Sequence, residues 1–383
     1  MVFVGLDVHK RVVQACVVDG AGVVVREARL PGSERILLAF LKTVGECKVA
    51  LEATSGFELY YDALVSNGFS VSVANPFKVR LIAQNRFKTD RADALALAQL
   101  LRTGFLPTSY VPCGEVKELR RLVRERIHLV GLRARTKNRV RYLLQAYKQE
   151  TKFDPFTKKG MKELTAMPLP SMQRCVRLYD SLSAEIVDVE KELEGHESQH
   201  ARELELLKSI PGIGRFTSLV IIAEVDDITR FPSAKKLCAY AGLVPSVRQS
   251  ANTIKTGGIT HQGSKDMRWM LVEVAHGAVR RDVFLKQFFT RIKARRGYKR
   301  AIVAVARKLL SYAFHVLSQK KSYDEIVAQD RDKKKHAHDS GGEGKGFSVP
   351  PAEQNSCSPQ GDWIEPLPDN RLNAARYTRH ANA

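Results

Sequence analysis

The sequence predicts an α/β N-terminal domain, then a helical linker, then a mainly α C-terminal domain. Three observations carry this. Short apolar runs of strand type, punctuated by turn residues, alternate with helical spacing up to about residue 110. From 115 to 203 the apolar residues recur at helical spacing without strand punctuation. From 204 a Pro-Gly turn, a polar loop and further helices follow, and from 326 apolar residues become sparse. The domain boundaries read from this are 1–114, 115–203, 204–325 and a tail at 326–383.

In the first domain, Val2 to Val8 and Val12 to Val18 read as strands, and Gly22 to Val25 opens a third after the turn Asp19-Gly20-Ala21-Gly22. Glu34 to Thr43 reads as a helix and Val49 to Glu52 as a short strand. Phe57 to Ser66 is a second helix, and Ser70 to Ala74 another strand. Arg91 to Leu101 is a helix rich in Ala and Leu, with Thr89 or Asp90 as its cap.

In the linker, Leu119, Leu122, Val123, Ile127, Val130, Leu143 and Leu144 fall near helical spacing. Residues 115–150 hold eleven Lys/Arg against four Glu. Leu182, Ile186, Val189 and Leu193 step by four, three and four, as in a short coiled-coil seam. The third region opens with Ile210-Pro211-Gly212-Ile213-Gly214 and a helix from Phe216. A polar loop spans Ser246 to Gly263, and helices continue to about Ser318. Residues 286–308 hold nine Lys/Arg, among them Arg295, Arg296, Lys299 and Arg300, and no acid. Each basic stretch reads either as a solvated helix face or as a nucleic-acid contact. The tail, rich in Lys, Asp, Gly, Ser, Pro and Asn, reads as disordered.

The chain of 383 residues carries 62 Lys+Arg against 41 Asp+Glu, a formal charge of +21. Such an excess favours a polyanionic partner, because neutralised phosphates release their condensed counterions. No apolar run reads as a membrane span, and an acid and a base stand too early for a secretory signal peptide. Six scattered cysteines without a C-x-x-C pair suit a reducing cytoplasm and speak against zinc. The expected setting is a prokaryotic-type cytoplasm, in association with the nucleoid.

Four carboxylates stand where an α/β sheet gathers its chemistry. Asp7 lies near the end of the first strand and Glu52 ends a later one. Asp90 and Asp93 are three apart, on one face of a helix start. Hard divalent ions such as Mg2+ (or Mn2+) take carboxylate oxygens, and two of them can steady both oxygens of an in-line phosphoryl displacement. Unpaired, four clustered acids would repel and raise one another's pKa values. Separately, each acid also has a structural role open to it, such as helix cap or strand terminus. His9 reads as a solvated or packed residue beside the site.

In this order, GLDVHK, LEATSG and KTDRADALALA, followed by SIPGIG, AYAGLVPS, GGIT and a basic helical end, resemble the DEDD-type transposases of the IS-one-ten insertion-sequence family. The likeness runs from residue 1 to about 320. It implies a RuvC-like, ribonuclease-H-type first domain, a coiled-coil linker, and a transposase domain with a nucleophilic serine. It also implies a structured guide RNA besides DNA, and a homo-oligomer, dimer or tetramer, with acids and serine supplied by different subunits. Carried over, the metal-binding and catalytic acids are Asp7, Glu52, Asp90 and Asp93, and the serine is Ser250, five residues after Pro245. Ala251-Asn252 follow it where the family often has glycine, which reaches φ > 0 freely, and Ser246 remains a competitor. Gly212 and Gly214 resemble a helix-hairpin-helix turn, whose amides can approach a phosphate; a plain interhelical turn is the other reading.

The function expected is cutting and rejoining DNA strands to move an insertion sequence. The alternatives are a RuvC-like junction nuclease without a serine intermediate, and a nucleic-acid-binding protein with an inactive acidic site. A sugar-kinase-like ATPase fits less well, because Val8-His9-Lys10 stands where its Gly-rich phosphate loop belongs.

Overall fold

The computed structural model describes residues 1–83, 89–112, 114–250 and 253–329. The chain divides into two compact units, Met1–Pro112 and Cys113–Ala383.

The first unit runs β1 (Val2–Val8), β2 (Val12–Val18), β3 (Val24–Pro31), α1 (Glu34–Val44), β4 (Cys47–Glu52), α2 (Phe57–Ser66), β5 (Ser70–Ala74), α3 (Pro76–Ile82) and α4 (Asp90–Arg102). Its sheet has the order β3-β2-β1-β4-β5. The β1–β2 and β2–β3 pairs are antiparallel, and β1–β4 and β4–β5 are parallel. The third strand is longer than its sequence suggested. It carries Arg26, Glu27 and Arg29 because it is an edge, where charge blunts further pairing. Helix α3 is an element not expected from the sequence pattern, although Asn75 caps it and Pro76 occupies its first turn. Thr89 caps α4 by accepting from the amide of Ala92.

Alternation along the strands separates two faces. Val4, Leu6, Val8, Val49 and Leu51 bury one face against α1 and α2. Gly5 and Ala50, paired across β1 and β4, belong to the other face, which α4 covers. A Cβ on Gly5 would stand 1.9 Å from the Ala94 carbonyl oxygen and 2.6 Å from the Ala98 amide. Glycine here is therefore a condition for α4 to lie directly on the central strand. An ion pair between Arg91 and Glu27 fastens the start of the helix to β3.

The second unit contains α5 (Gly114–Ala146), α6 (Lys158–Ala166), α7 (Pro170–Gly195), α8 (Ala201–Lys208), α9 (Arg215–Val225), α10 (Ala234–Tyr240), β6 (Pro245–Ser250), β7 (Thr253–Ile259), α11 (Lys265–Arg281), α12 (Val283–Arg296) and α13 (Tyr298–Gln319). Helices α5 and α7 lie antiparallel, as the contacts Glu115–Gln199, Arg126–Glu190 and Lys137–Tyr179 require. The four spaced residues Leu182, Ile186, Val189 and Leu193 are all buried. Leu119, Leu122, Val123, Val189 and Leu193 share one core with the helices from α8 onward, whereas the far end of the pair has its own core with α6, around Val140, Leu143, Leu164 and Met172.

At the centre of the larger core is α9, buried from Thr217 through Val225. A helix apolar on all sides needs neighbours all round. Its C-terminal carbonyls are met by guanidinium groups: Arg120 donates to the Ala223 and Glu224 carbonyls, Arg230 to those of Glu224 and Val225. These satisfy acceptors that a helix end leaves open, and place positive charge at its negative pole.

Two expectations change. The polar stretch from Ser246 is a two-stranded hairpin, β6–β7, rather than a loop. The ordered chain also passes 325: residues 323–329 are helical, and Tyr323 and Ile326 are buried in the core. The rest of the expected tail, from 330, lies outside the described residues. Helix α13 is long and apolar enough by composition to cross a membrane, but Ala301, Val305, Leu309, Ala313 and Val316 bury its apolar side in the protein.

Candidate metal centre and serine hairpin

Asp7 shares a strand face with Gly5, two residues earlier, and so turns toward α4. The α4 helix passes over that face and begins with Asp90 and Asp93 in its first turn. Carboxylates there meet the positive end of the helix dipole. The register that sets Leu6 beside Leu51 carries Asp7 and Glu52 to the same end of neighbouring parallel strands.

These placements are unequal. Asp7 is buried, at 5% exposure, while Asp90 is exposed. His9 Nε2 lies 3.1 Å from Asp7 Oδ2 and 3.5 Å from Asp90 Oδ1. Donor atoms of Asp7, His9 and Asp90 all fall within 4.8 Å of one another. Glu52 and Asp93 are not in that tight group. Asp93 nevertheless acts on Asp7 through its charge. Burial pushes the Asp7 carboxyl above its usual range, as do the charges of Asp90 and Asp93; His9 opposes them by charge and hydrogen bond.

His9, which by sequence reads as a solvated or packed residue, lies against both Asp7 and Asp90. It follows β1 by one residue, and its amide donates to the Val12 carbonyl in the turn into β2. That tight turn brings the imidazole back over the strand end. Its only sequence signal was position beside Asp7.

The donor set fits a divalent cation. A buried carboxylate with further acids around it gains from added positive charge. Oxygen donors suit magnesium or manganese, and an imidazole nitrogen is a better donor for manganese than for magnesium.

Ser250 ends β6 and pairs with Thr253, at the exposed tip of the hairpin. Ala251 and Asn252, the departure from the family pattern, lie outside the described residues. Ser246 is engaged: its Oγ donates to the Gly258 carbonyl at 3.1 Å, and a Cβ on the facing Gly257 would stand 2.5 Å from that oxygen.

The turn at 210–214 joins α8 to α9. Gly212 has φ +87°, and a Cβ on it would crowd Ala278 and the Val274 carbonyl of α11 at 3.0–3.1 Å. Gly212 therefore serves close helix packing. Gly214 is the extended residue before α9, and its carbonyl accepts from Ser218.

Arg295, Arg296, Lys299 and Arg300 are exposed on either side of Gly297, where α12 turns into α13, and among the described residues none of the four pairs with a carboxylate. The basic stretch at 115–150 is divided. Arg120 is buried in helix capping, Arg121 binds Glu118 and Glu125, Arg124 binds the buried Glu224, and Arg126 binds Glu190 and covers Phe216.

A family described as Transposase matches residues 4–149, and the Transposase IS116/IS110/IS902 family matches residues 204–290. The chain is 28% identical over 341 residues to the transposase for insertion sequence element IS1111A of Coxiella burnetii, covering 83% of this chain and 90% of that protein. It is 28% identical over 287 residues to a pilin gene-inverting protein of Moraxella lacunata, covering 72% and 82%. It is 25% identical over 386 residues to a protein of insertion element IS110 of Streptomyces coelicolor, covering 84% and 95%.

Proposed function

The chain belongs to the IS110 (IS-one-ten) transposase family, and from that membership we propose that it cuts and rejoins DNA strands at a divalent-metal centre held by Asp7, Glu52, Asp90 and Asp93. The observation that carries the proposal is the convergence of Asp7 and Asp90 around His9 at the end of the central strand. Acids at the ends of two parallel strands and at a helix start accord with a RuvC-like, ribonuclease-H-type domain. Asp7 and Asp90 would hold the cation, with Glu52 and Asp93 beside them and His9 as a nitrogen donor. The cation, when bound, supplies charge that stabilises the phosphorus oxygens of an in-line displacement.

Ser250 is the proposed nucleophile. Its position at an exposed hairpin tip supports this over Ser246, whose hydroxyl is occupied across the hairpin. Its Oγ would attack phosphorus, the bond to the leaving strand would break, and the departing oxygen would take up a proton. The phosphodiester count is unchanged, so a second strand's hydroxyl can reverse the step and rejoin DNA. The exposed cluster Arg295, Arg296, Lys299 and Arg300 is suited to phosphate backbone. A structured guide RNA and an oligomer that brings acids and serine together are parts of the same reading, supported by the family resemblance.

The test is strand cleavage of DNA in Mg2+ by wild type, Asp7→Asn and Asp93→Asn. Cleavage by wild type, and its loss in both folded variants, is expected. Near wild-type cleavage by both would overturn the metal centre.

A further inference from the structure

We propose that the far end of the α5–α7 pair is a docking surface for unpaired DNA, whose bases stack on Tyr142 and Phe153. Residues 131–180 hold twelve Lys/Arg against four Asp/Glu, while 181–197, nearer the main core, hold one Lys against six acids. Charge is thus polarised along the pair. Two of the four acids in the basic half are used internally: Asp154 accepts from the Phe156 amide, and Glu163 from the Lys152 amide. The basic residues of α5 nearest the core are committed to Glu118, Glu125, Glu190 and Glu224. Among the described residues, Arg133, Arg135, Lys137, Arg139 and Arg141 beyond them pair with no carboxylate, so the positive field concentrates at the far end.

Aromatic rings stand in that field. Tyr142 is 57% exposed with the Arg139 guanidinium 4.9 Å from its ring, and Phe153 is 44% exposed with the Lys159 ammonium at 5.0 Å. Arg135, Arg139 and Tyr142, at steps of four and three, form one stripe of α5. Phe153 sits in a loop held in place, since Gly160 packs where a Cβ would come within 2.0 Å of the Asp154 carbonyl oxygen. Exposed large rings cost solvation and are not needed for the core beneath them, which Val140, Leu143, Leu164, Met172 and Val176 fill. Rings each partnered by a cation are what a nucleic-acid strand recognises: bases stack while phosphates pair. Paired bases hide their faces, so the rings select unpaired strand. Strand exchange in the proposed reaction produces unpaired DNA, and that is the occupant the surface fits. The inference rests on the DNA-recombinase reading above.

The experiment measures binding of full-length protein to a labelled single-stranded DNA, the RNA of the same sequence and the DNA duplex, across a salt series. The proteins are wild type, Tyr142→Ala/Phe153→Ala and Arg135→Gln/Arg139→Gln. Both side chains of the ring variant are exposed, and its melting temperature checks that the fold is kept. The ring variant should lose at least about tenfold in affinity for single-stranded DNA, keep its salt slope and bind duplex within about twofold of wild type. The charge variant should bind all three ligands more weakly with a shallower salt slope. Unchanged single-strand binding by the ring variant, equal loss for duplex and single strand, or a tenfold preference of wild type for the RNA would each overturn this surface while leaving the metal centre standing. Wild type that binds no DNA at all would remove both.

Discussion

The missing Cβ of Gly5 is the space into which the Ala94 carbonyl fits: a side-chain carbon there would stand 1.9 Å from that oxygen. Two residues further along the same strand face is Asp7, and one turn before Ala94 on the same helix is Asp90. The acidic centre therefore depends on a residue that contributes no functional group to it.

Gly5→Val should push α4 off the central strand. Overpacking of this kind costs about 1–3 kcal/mol. The expected result is a lower urea midpoint together with loss of divalent-metal binding. A folded Gly5→Val protein with wild-type metal affinity would show that α4 is positioned by something else.

Asp7→Asn should stabilise the metal-free protein at neutral pH. The folded-state pKa of Asp7 is raised, so the folded form holds this proton more tightly than the unfolded chain. That contribution is fully present below the unfolded value and is lost as pH rises through the folded one. In chelator, Asp7→Asn should therefore melt higher than wild type at pH 7, with the gap closing toward pH 3. Added Mg2+ should raise the melting temperature of wild type and leave the variant unmoved. A gap that widens on acidification would contradict the assigned direction.

His9→Ala should change which metal is preferred. An imidazole donor favours Mn2+ over Mg2+, so the variant should lose Mn2+ affinity several-fold with little change for Mg2+. Pulsed electron paramagnetic resonance of bound Mn2+ should show nitrogen coupling in wild type and none in the variant. Identical spectra would remove His9 from the coordination set.

Ser250→Ala should abolish a covalent protein–DNA species on denaturing gels, and Ser246→Ala should keep it. Ser246→Ala loses only the hydrogen bond to Gly258, worth about 1 kcal/mol. An adduct that survives Ser250→Ala and vanishes with Ser246→Ala would reverse the assignment. Metal-dependent cleavage without any adduct in wild type would favour a nuclease using the acids alone.

Glu224→Ala should destabilise the second unit. The Glu224 side chain is 1% exposed and Arg124 pairs with it at 2.9 Å. Arg124 is half-exposed and can recover water, so the expected cost is about 2 kcal/mol, below that of a fully buried pair. Because Glu224 is shielded, 0.5 M salt should leave the difference between wild type and variant nearly unchanged in chemical denaturation. A cost below about 0.5 kcal/mol would mark the pair as dispensable.

Local chemistry made much of this protein legible in the sequence. Apart from helix α3 and the length of β3, strand and helix positions in the first unit followed from period and punctuation, since apolar spacing and caps act within a few residues. Asp7, Glu52, Asp90 and Asp93 stand out in the sequence as candidates because strand ends and a helix start are local features, and because the order of motifs resembles a known family; of the four, the structure groups Asp7 and Asp90 tightly. What depended on distant packing could not be read there. Gly5 looked like any glycine until α4 lay on it. His9 joined Asp7 and Asp90 because the β1–β2 turn folds it back toward a helix that begins eighty-one residues later. Eleven basic residues in one stretch looked alike, yet Arg120, Arg121, Arg124 and Arg126 meet internal partners while Arg135 and Arg139 face solvent. The physical reason is that charge and period are properties of neighbours along the chain, whereas close approach, burial and ion pairing are properties of neighbours in space, and only the tertiary structure decided which residues those were.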